Sequence, residues 1–176
     1  MSEAKQKLPT IESIFSLPEG KRAELIDGVI YDMAPPTATH QRIVGNLFVD
    51  ISNHLRQKHG SCHAFIAPFA VFPEDDETNY VEPDISIICN PSKWDDQGCH
   101  GAPDWIVEVV SPTSRQLDYM IKMNRYRLSG VRLYWIVDPM EELVTVYDFD
   151  RGEVNHYRFR DAIPVALDPG WSLTFS

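Results

Sequence analysis

The sequence predicts an α/β (α+β) domain with a central mixed β-sheet flanked by α-helices. Apolar residues recur at helical spacing between His40 and His59, which predicts one long amphipathic helix. Two short and almost wholly apolar runs, 81–88 and 103–110, are typical of strands buried on both faces. The predicted order of a helix, several strands, a second helix and further strands gives a mixed sheet between helices.

Each element has its own signal in the sequence. Residues 16–28 predict a short helical or turn segment that ends at Gly28, and residues 29–33 predict a first strand. Thr39 is a plausible N-cap of the long helix, and Gly60 would end it.

The remaining elements alternate with turn-rich segments. We expect a strand over 62–73, loops over 74–80 and 90–102 on either side of the first apolar run, and a helix from 111 to about 129 that ends at Gly130. Further strands are predicted over 133–138 and 143–149, and hairpins over 151–176.

Length and composition favour a single domain in the cytoplasm. The 176 residues predict one domain, 1–176, with its core at about 18–149 and a strand-rich extension at 150–176. No apolar stretch approaches the ~18 residues that span a bilayer, and the N-terminus lacks the apolar core of a signal peptide. The three cysteines are odd in number and lack zinc-type spacing, so we expect no disulfide framework and a reducing compartment.

The net charge of −10 restricts the ways in which the protein could meet nucleic acid. The charge argues against a protein that coats DNA or RNA through a basic surface, because that mode needs an excess of Lys and Arg. A nuclease site is still compatible with the charge, since it needs clustered carboxylates and only local basic groups.

Two acidic residues within the apolar runs indicate a metal site. Asp84 and Glu108 would be costly to bury as ions unless they were paired, hydrogen-bonded or bound to a metal. Carboxylates hold Mg²⁺ or Mn²⁺, the backbone carbonyl of Val109 offers a further oxygen ligand, and a nearby lysine could stabilise developing negative charge. Lys122 is the candidate lysine, because Asp118, Lys122 and Tyr126 follow at i, i+4 and i+8 on one helix face.

Each of these residues also has a simpler interpretation. Asp84 follows a proline and could cap a turn, and Glu108 could lie on an exposed edge strand. Lys122 and Asp118 could form an ordinary surface pair that contributes ~0.3–0.5 kcal/mol. The combination is what points to metal-assisted hydrolysis.

Taken in order, the motifs resemble the PD-(D/E)xK nuclease superfamily, and more closely its restriction-endonuclease-like Uma2 family. The matching segments are Glu24–Gly28, His40, Pro83–Asp84, Glu108–Ser114, the set Asp118, Lys122 and Tyr126, and Gly130–Pro139. They span nearly everything from about residue 18 to residue 149. The sequence departs from the wider superfamily at Val110, where a lysine would lie beside the metal.

The resemblance implies a restriction-endonuclease-like fold and a set of site residues. Asp84 and Glu108 would be metal ligands, Lys122 the catalytic lysine that has migrated from position 110, and Glu24 an additional acidic residue of the site. Asp118 would support Lys122. His40 would either reach the pocket or serve as a cap or surface residue at the helix start.

Three functions follow as hypotheses. The first is an endonuclease that hydrolyses DNA with Mg²⁺ (or Mn²⁺), and the second is a non-catalytic interaction module that keeps the nuclease fold. The third is a metal-dependent hydrolase of another phosphoester. A homodimer or higher homo-oligomer is also expected, because cutting two strands commonly uses two sites and the strand-rich tail offers edges for pairing.

Overall fold

The computed structural model describes residues 8–175, and its first half alternates helices with short strands. In chain order these are α1 (Ile11–Phe15), β1 (Ala23–Ile26), β2 (Val29–Asp32), α2 (Ala38–Lys58), β3 (His63–Ile66), β4 (Val71–Phe72), β5 (Ile85–Ile88), β6 (Trp94–Asp95) and β7 (Gly98–His100). The second half contains β8 (Trp105–Val109), a π-helical segment (Leu117–Lys122), α3 (Met123–Ser129), β9 (Leu133–Asp138), β10 (Leu143–Asp148), β11 (Glu153–Arg158), β12 (Ile163–Pro164) and β13 (Ser172–Leu173).

A six-stranded sheet forms the centre, in the order β11-β10-β9-β8-β5-β3. Strands β8 and β9 are parallel, and every other neighbouring pair in this sheet is antiparallel. The predicted mixed sheet is therefore confirmed. Of the hairpins expected over 151–176, β12–β13 lies wholly within that range, whereas β11 pairs with β10, which precedes it.

The two faces of the sheet are covered by different elements. Side chains alternate along β8, so Trp105 and Val107 pack with α2 and the C-terminal hairpin, whereas Ile106 packs with Tyr126 of α3. Strands β5, β8 and β9 are buried along their whole length. Their double-sided burial agrees with the unbroken apolar runs in the sequence and places Glu108 on the α3 side of the sheet.

The prediction of a short helical or turn segment over 16–28 is wrong for residues 23–26, whereas residues 16–22 form turns and irregular structure. Residues 23–26 form β1, which pairs with β2 through a tight turn at Asp27 and Gly28, both at positive φ. Leu25 also exchanges backbone hydrogen bonds of 2.7 and 2.8 Å with Tyr80. Glu24 therefore lies on a buried strand. The hydrogen bonds between Leu25 and Tyr80, which precedes Asp84, override the local helical preference.

The long helix starts earlier than predicted. Helix α2 begins at Ala38, and its N-cap is Thr37, whose side chain accepts a hydrogen bond from the His40 N–H; Thr39 is not the cap. Its end agrees with the prediction, since His59 adopts the left-handed conformation directly before Gly60.

Three further predictions are corrected by pairing or by helix geometry. The strand predicted over 62–73 is divided into β3 and β4, and the loop predicted over 90–102 contains β6 and β7, which join β4 in a small sheet. The helix predicted over 111–129 becomes regular only at Met123, after one wide π-helical segment. Such segments are rare and are frequent at functional sites.

The cysteines also differ from the prediction. Cys62 and Cys89 form a disulfide between the ends of the neighbouring strands β3 and β5, and Cys99 is a buried free thiol. Spacing along the chain could not indicate this pair, because the strand pairing alone brings the two residues together.

Between residues 8 and 175, no helix is both long enough and apolar enough to cross a membrane. The prediction about a signal peptide concerns mainly residues 1–7, which lie outside the described residues.

Candidate active site

One cavity of about 640 Å³ collects most of the residues that the sequence singled out. Its lining includes Glu24 from β1, His40 from α2, Asp84 before β5, Glu108 from β8 and Asp118 from the π-helical segment. These five positions are far apart along the chain. The structure thus brings together the carboxylates and the histidine that the sequence proposed for one site.

Lys122 lies at the base of this site, enclosed by three of its carboxylates. Its Nζ is 2.7 Å from Glu24 Oε2, 2.8 Å from Glu108 Oε1 and 3.7 Å from Asp118 Oδ1. The Lys122 and Asp118 side chains are 5% and 3% exposed, so the interpretation as an ordinary surface pair is wrong. The helix after β8 therefore delivers a lysine to Glu108, while Val110 is buried in the apolar cluster on the same face of the sheet.

Glu108 is held at both of its oxygens. Oε1 accepts hydrogen bonds from Lys122 Nζ at 2.8 Å and from Tyr126 Oη at 2.9 Å, and Oε2 accepts one from the Asp84 N–H at 3.3 Å. The residue is 4% exposed and lies in the middle of the sheet, so the interpretation as an edge-strand residue is also wrong. The sequence placed Tyr126 on the same helix face as Lys122 but did not indicate its hydrogen bond to Glu108.

Asp84, which directly precedes β5, is hydrogen-bonded to the strand that carries Glu108. Its Oδ2 accepts the Val109 N–H at 2.8 Å and lies 3.1 Å from His40 Nε2. This carboxylate does not cap its own turn; it bridges β5 to β8 and to the start of α2. The Val109 backbone, which was proposed to offer its carbonyl to a metal, is therefore directly beside Asp84.

Glu24 and Asp118 complete the enclosure of Lys122 from opposite sides. Glu24 Oε1 accepts the Glu82 N–H at 3.0 Å, which fixes the carboxylate that contacts Lys122. Asp118 is 2% exposed, and its backbone carbonyl accepts a hydrogen bond from Tyr134 Oη at 3.1 Å. The wide π-helical segment turns both Asp118 and Lys122 inward, and it could not be recognised from the helical spacing alone.

Burial and mutual repulsion set the ionisation of the site. Burial raises the pKa of Glu108 well above its ordinary value, and the nearby carboxylates of Asp84, Asp118 and Glu24 add to this against the opposing charge of Lys122. Burial likewise raises the pKa of Asp118 to about 6.

For the two basic groups, Lys122 and His40, burial lowers the pKa and the nearby carboxylates raise it. Burial lowers the pKa of Lys122, but the charges of Glu108, Glu24 and Asp118 outweigh it and raise the pKa well above its ordinary value, so the ammonium is protonated at neutral pH. Burial also lowers the pKa of His40, and the hydrogen bond and charge of Asp84 more than compensate. The carboxyl groups of Glu108 and Asp118 resist ionisation because of burial and of the other carboxylates nearby, and a further positive charge in the site would relieve this repulsion.

The donor chemistry of the site suits a hard divalent cation, although its ligands are not assembled in advance. In the described part of the chain, no three His, Cys, Asp or Glu side chains are arranged as a ready metal cluster. The Lys122 ammonium lies between Glu24, Glu108 and Asp118 and occupies their oxygens. Asp84, Glu108 and the Val109 carbonyl are the oxygen donors that could hold Mg²⁺ or Mn²⁺ at the cavity wall.

A solved structure has the same fold. The chain is 24% identical to a protein whose crystal structure is described as that of a putative nuclease belonging to DUF820 from Anabaena variabilis, with a TM-score of 0.72 over 90% of this chain and 89% of that chain. No curated protein matches the chain significantly. The Uma2 family, described as "Putative restriction endonuclease", matches residues 8–176. The chain belongs to the Uma2 family.

Proposed function

We propose that this protein is a Mg²⁺- or Mn²⁺-dependent endonuclease that hydrolyses DNA phosphodiester bonds. Asp84, Glu108 and the Val109 carbonyl would hold the metal, and Lys122 would be the catalytic lysine that has moved from position 110 to the following helix. The observation that carries the proposal is the 2.8 Å contact between Lys122 Nζ and Glu108 Oε1, made from a different element. Membership in a family described as "Putative restriction endonuclease" supports the same reaction class.

Each residue of the site would have a separate role in the reaction. A bound divalent cation would polarise a phosphoryl oxygen and lower the pKa of its water. Asp84 is oriented by the Val109 N–H, and Glu108 by Tyr126 and Lys122, so both carboxylates are fixed before substrate enters. Lys122 stays protonated and would stabilise negative charge that develops on the phosphate, since a preorganised cation in a buried site is effective there.

Hydrolysis itself adds one water across one bond. The water oxygen bonds to phosphorus, the bond from phosphorus to the leaving oxygen breaks, and that oxygen takes up a proton. Because the Lys122 ammonium is held by Glu24 and Glu108, it is suited to electrostatic stabilisation and unsuited to accepting the proton of the water.

Plasmid cleavage tests this proposal. The purified protein should convert supercoiled plasmid to nicked or linear DNA with Mg²⁺ or Mn²⁺ and not with EDTA. Asp84→Asn, Glu108→Gln and Lys122→Met should each lower the rate by about a hundredfold or more. Asp168→Asn is the matched control, because Asp168 also pairs with a histidine of α2, His54, but lies outside the cavity. Cleavage that persists in the site variants would refute the proposal.

A non-catalytic module is the second candidate, and two observations favour it. The charge of the Lys122 ammonium is balanced by the carboxylates that it contacts, and the whole chain carries a net charge of −10. Metal binding without turnover on plasmid, single-stranded DNA, RNA and a small phosphodiester would support this alternative. Turnover of the small phosphodiester alone would support a hydrolase of another phosphoester, which a cavity of this size could accommodate.

A further inference from the structure

His40 is directed at the proposed metal ligands. Its Nε2 is 3.1 Å from Asp84 Oδ2. The side chain is 14% exposed and lines the cavity, as do Glu108 and Val109. The imidazole therefore contacts one of the groups that were assigned to the metal and lines the same cavity as the other two.

A purely structural role does not account for this placement. A histidine that buttresses a fold is expected to use both ring nitrogens, because a buried polar atom without a partner is destabilising. His40 Nδ1 is buried and finds no hydrogen-bond partner among residues 8–175. The helix cap is also made by another residue, since Thr37 accepts the His40 N–H. What remains for the ring is its contact with Asp84.

The geometry of that contact suits two ligands of one ion. Adjacent ligands of an octahedral ion with bonds of about 2.1 Å lie about 3 Å apart. The 3.1 Å between His40 Nε2 and Asp84 Oδ2 has this value, so a cation could replace the proton that the two atoms share.

A second histidine on the same helix shows the contrast. His54 lies 2.5 Å from Asp168 through Nε2 and stacks on Trp171, with ring centroids 3.7 Å apart. His54 and Trp171 line a different, smaller groove that contains none of the site carboxylates assigned above. Helix α2 therefore carries two His–Asp pairs, one within the cavity and one outside it.

We propose that His40 supplies an imidazole nitrogen to the metal site of Asp84, Glu108 and the Val109 carbonyl, and that it makes the site prefer Mn²⁺ to Mg²⁺. The inference rests on the proposed function, because it assumes a divalent cation at that site. Mg²⁺ prefers oxygen ligands, whereas an imidazole nitrogen adds affinity for transition metals, so a mixed nitrogen and oxygen set favours Mn²⁺.

Pulsed electron paramagnetic resonance of the Mn²⁺-loaded protein tests the inference directly, since it detects a ¹⁴N nucleus bonded to the ion. The wild type and His54→Ala should both show the ¹⁴N coupling, and His40→Ala should lose it. Calorimetry should show that His40→Ala weakens Mn²⁺ binding by about tenfold or more and changes Mg²⁺ binding by about threefold or less. His40→Gln should behave like His40→Ala while keeping a side chain that can donate to Asp84, and circular dichroism confirms that both variants fold.

The outcomes separate this inference from the proposed function. Mn²⁺ binding that is lost in Asp84→Asn and Glu108→Gln, but that shows no ¹⁴N coupling and no effect of His40→Ala, would overturn the role of His40 and leave the metal site intact. A coupling that persists in His40→Ala would also overturn it. Absence of Mn²⁺ binding to the wild type would overturn both.

Discussion

Lys122 is the residue on which the stability of the site depends most strongly. Removing it leaves Glu24 and Glu108 buried beside each other without a cation, and breaking a buried pair in this way costs about 3–5 kcal/mol. We expect Lys122→Met to lower the free energy of unfolding by this amount in urea titrations at pH 7.5.

Lys58→Met is the control for this substitution. Lys58 pairs with Asp168 at 3.2 Å, but its side chain is 55% exposed, so its loss should cost about 1 kcal/mol or less. Equal costs for the two variants would contradict the enclosure of Lys122.

Asp118 should impose a measurable pH dependence. Its pKa is raised from 3.8 to about 6, so the folded protein binds a proton on Asp118 more tightly than the unfolded chain does. The stabilisation that results is complete below pH 4 and is lost as the pH rises through 6. An asparagine side chain does not titrate, so the free energy of unfolding of Asp118→Asn relative to wild type should increase between pH 4 and pH 7, by at most ~3 kcal/mol. Urea titrations of both proteins across this range measure the difference.

Asp95 provides a control of opposite sign. The Gln97 N–H lowers the pKa of this exposed carboxyl, so its contribution is present at higher pH and is lost as the pH falls. Asp95→Asn should therefore lose stability relative to wild type as the pH rises. A difference that has the same sign for both variants would refute the assignment for Asp118.

The sequence predicted which residues would meet at the site better than it predicted how they meet. Asp84 and Glu108 could be recognised because a carboxylate in an apolar strand needs a partner. The partner of Glu108 could be suggested from helical spacing, but the roles of Tyr126 and of the Glu82 N–H depend on contacts between distant segments. The assignments of metal, catalytic lysine and substrate remain predictions until they are measured.

At the level of elements, local sequence signals predicted the strands that are buried along their whole length. They failed where pairing with a distant strand determines the secondary structure. Strands β8, β9 and β10 agree with their apolar runs to within a residue or two. The segment 23–26 became a strand because β2 and Tyr80 pair with it, and such partners are not encoded nearby. The π-helical segment is similar, since its extra width follows from placing Asp118 and Lys122 inside the site.

The start of α2 gives a test at this scale. Thr37→Ala removes the side chain that accepts the His40 N–H, so we expect it to lower the free energy of unfolding by about 1 kcal/mol. Thr39→Ala is the matched control, because Thr39 lies inside the helix, where alanine is the better helix former, and should be neutral or slightly stabilising. The reverse order in thermal or urea unfolding would restore Thr39 as the cap.

For the whole molecule, the central sheet has two edges, β11 and β3, and the disulfide lies at one of them. It joins Cys62 to Cys89 across 27 positions, tying the outermost strand β3 to β5. The other edge, β11, is mostly exposed and includes Val154 at 51% exposure. A homodimer remains a prediction, and this strand is the edge at which it would be sought.

The state of the cysteines gives a final prediction for the folded molecule. Burial raises the pKa of the Cys99 thiol to about 11, and Cys62 and Cys89 are paired, so protein purified without reductant should show no thiol that reacts with Ellman's reagent at pH 8. Denaturation should release one thiol, and denaturation with prior reduction should release three. Cys99→Ser is the control, because it should show none after denaturation alone. Three thiols in denatured but unreduced wild type would show that the strands are not joined. The double variant Cys62→Ala, Cys89→Ala should lower the free energy of unfolding by about 3 kcal/mol, as expected for a loop of this length.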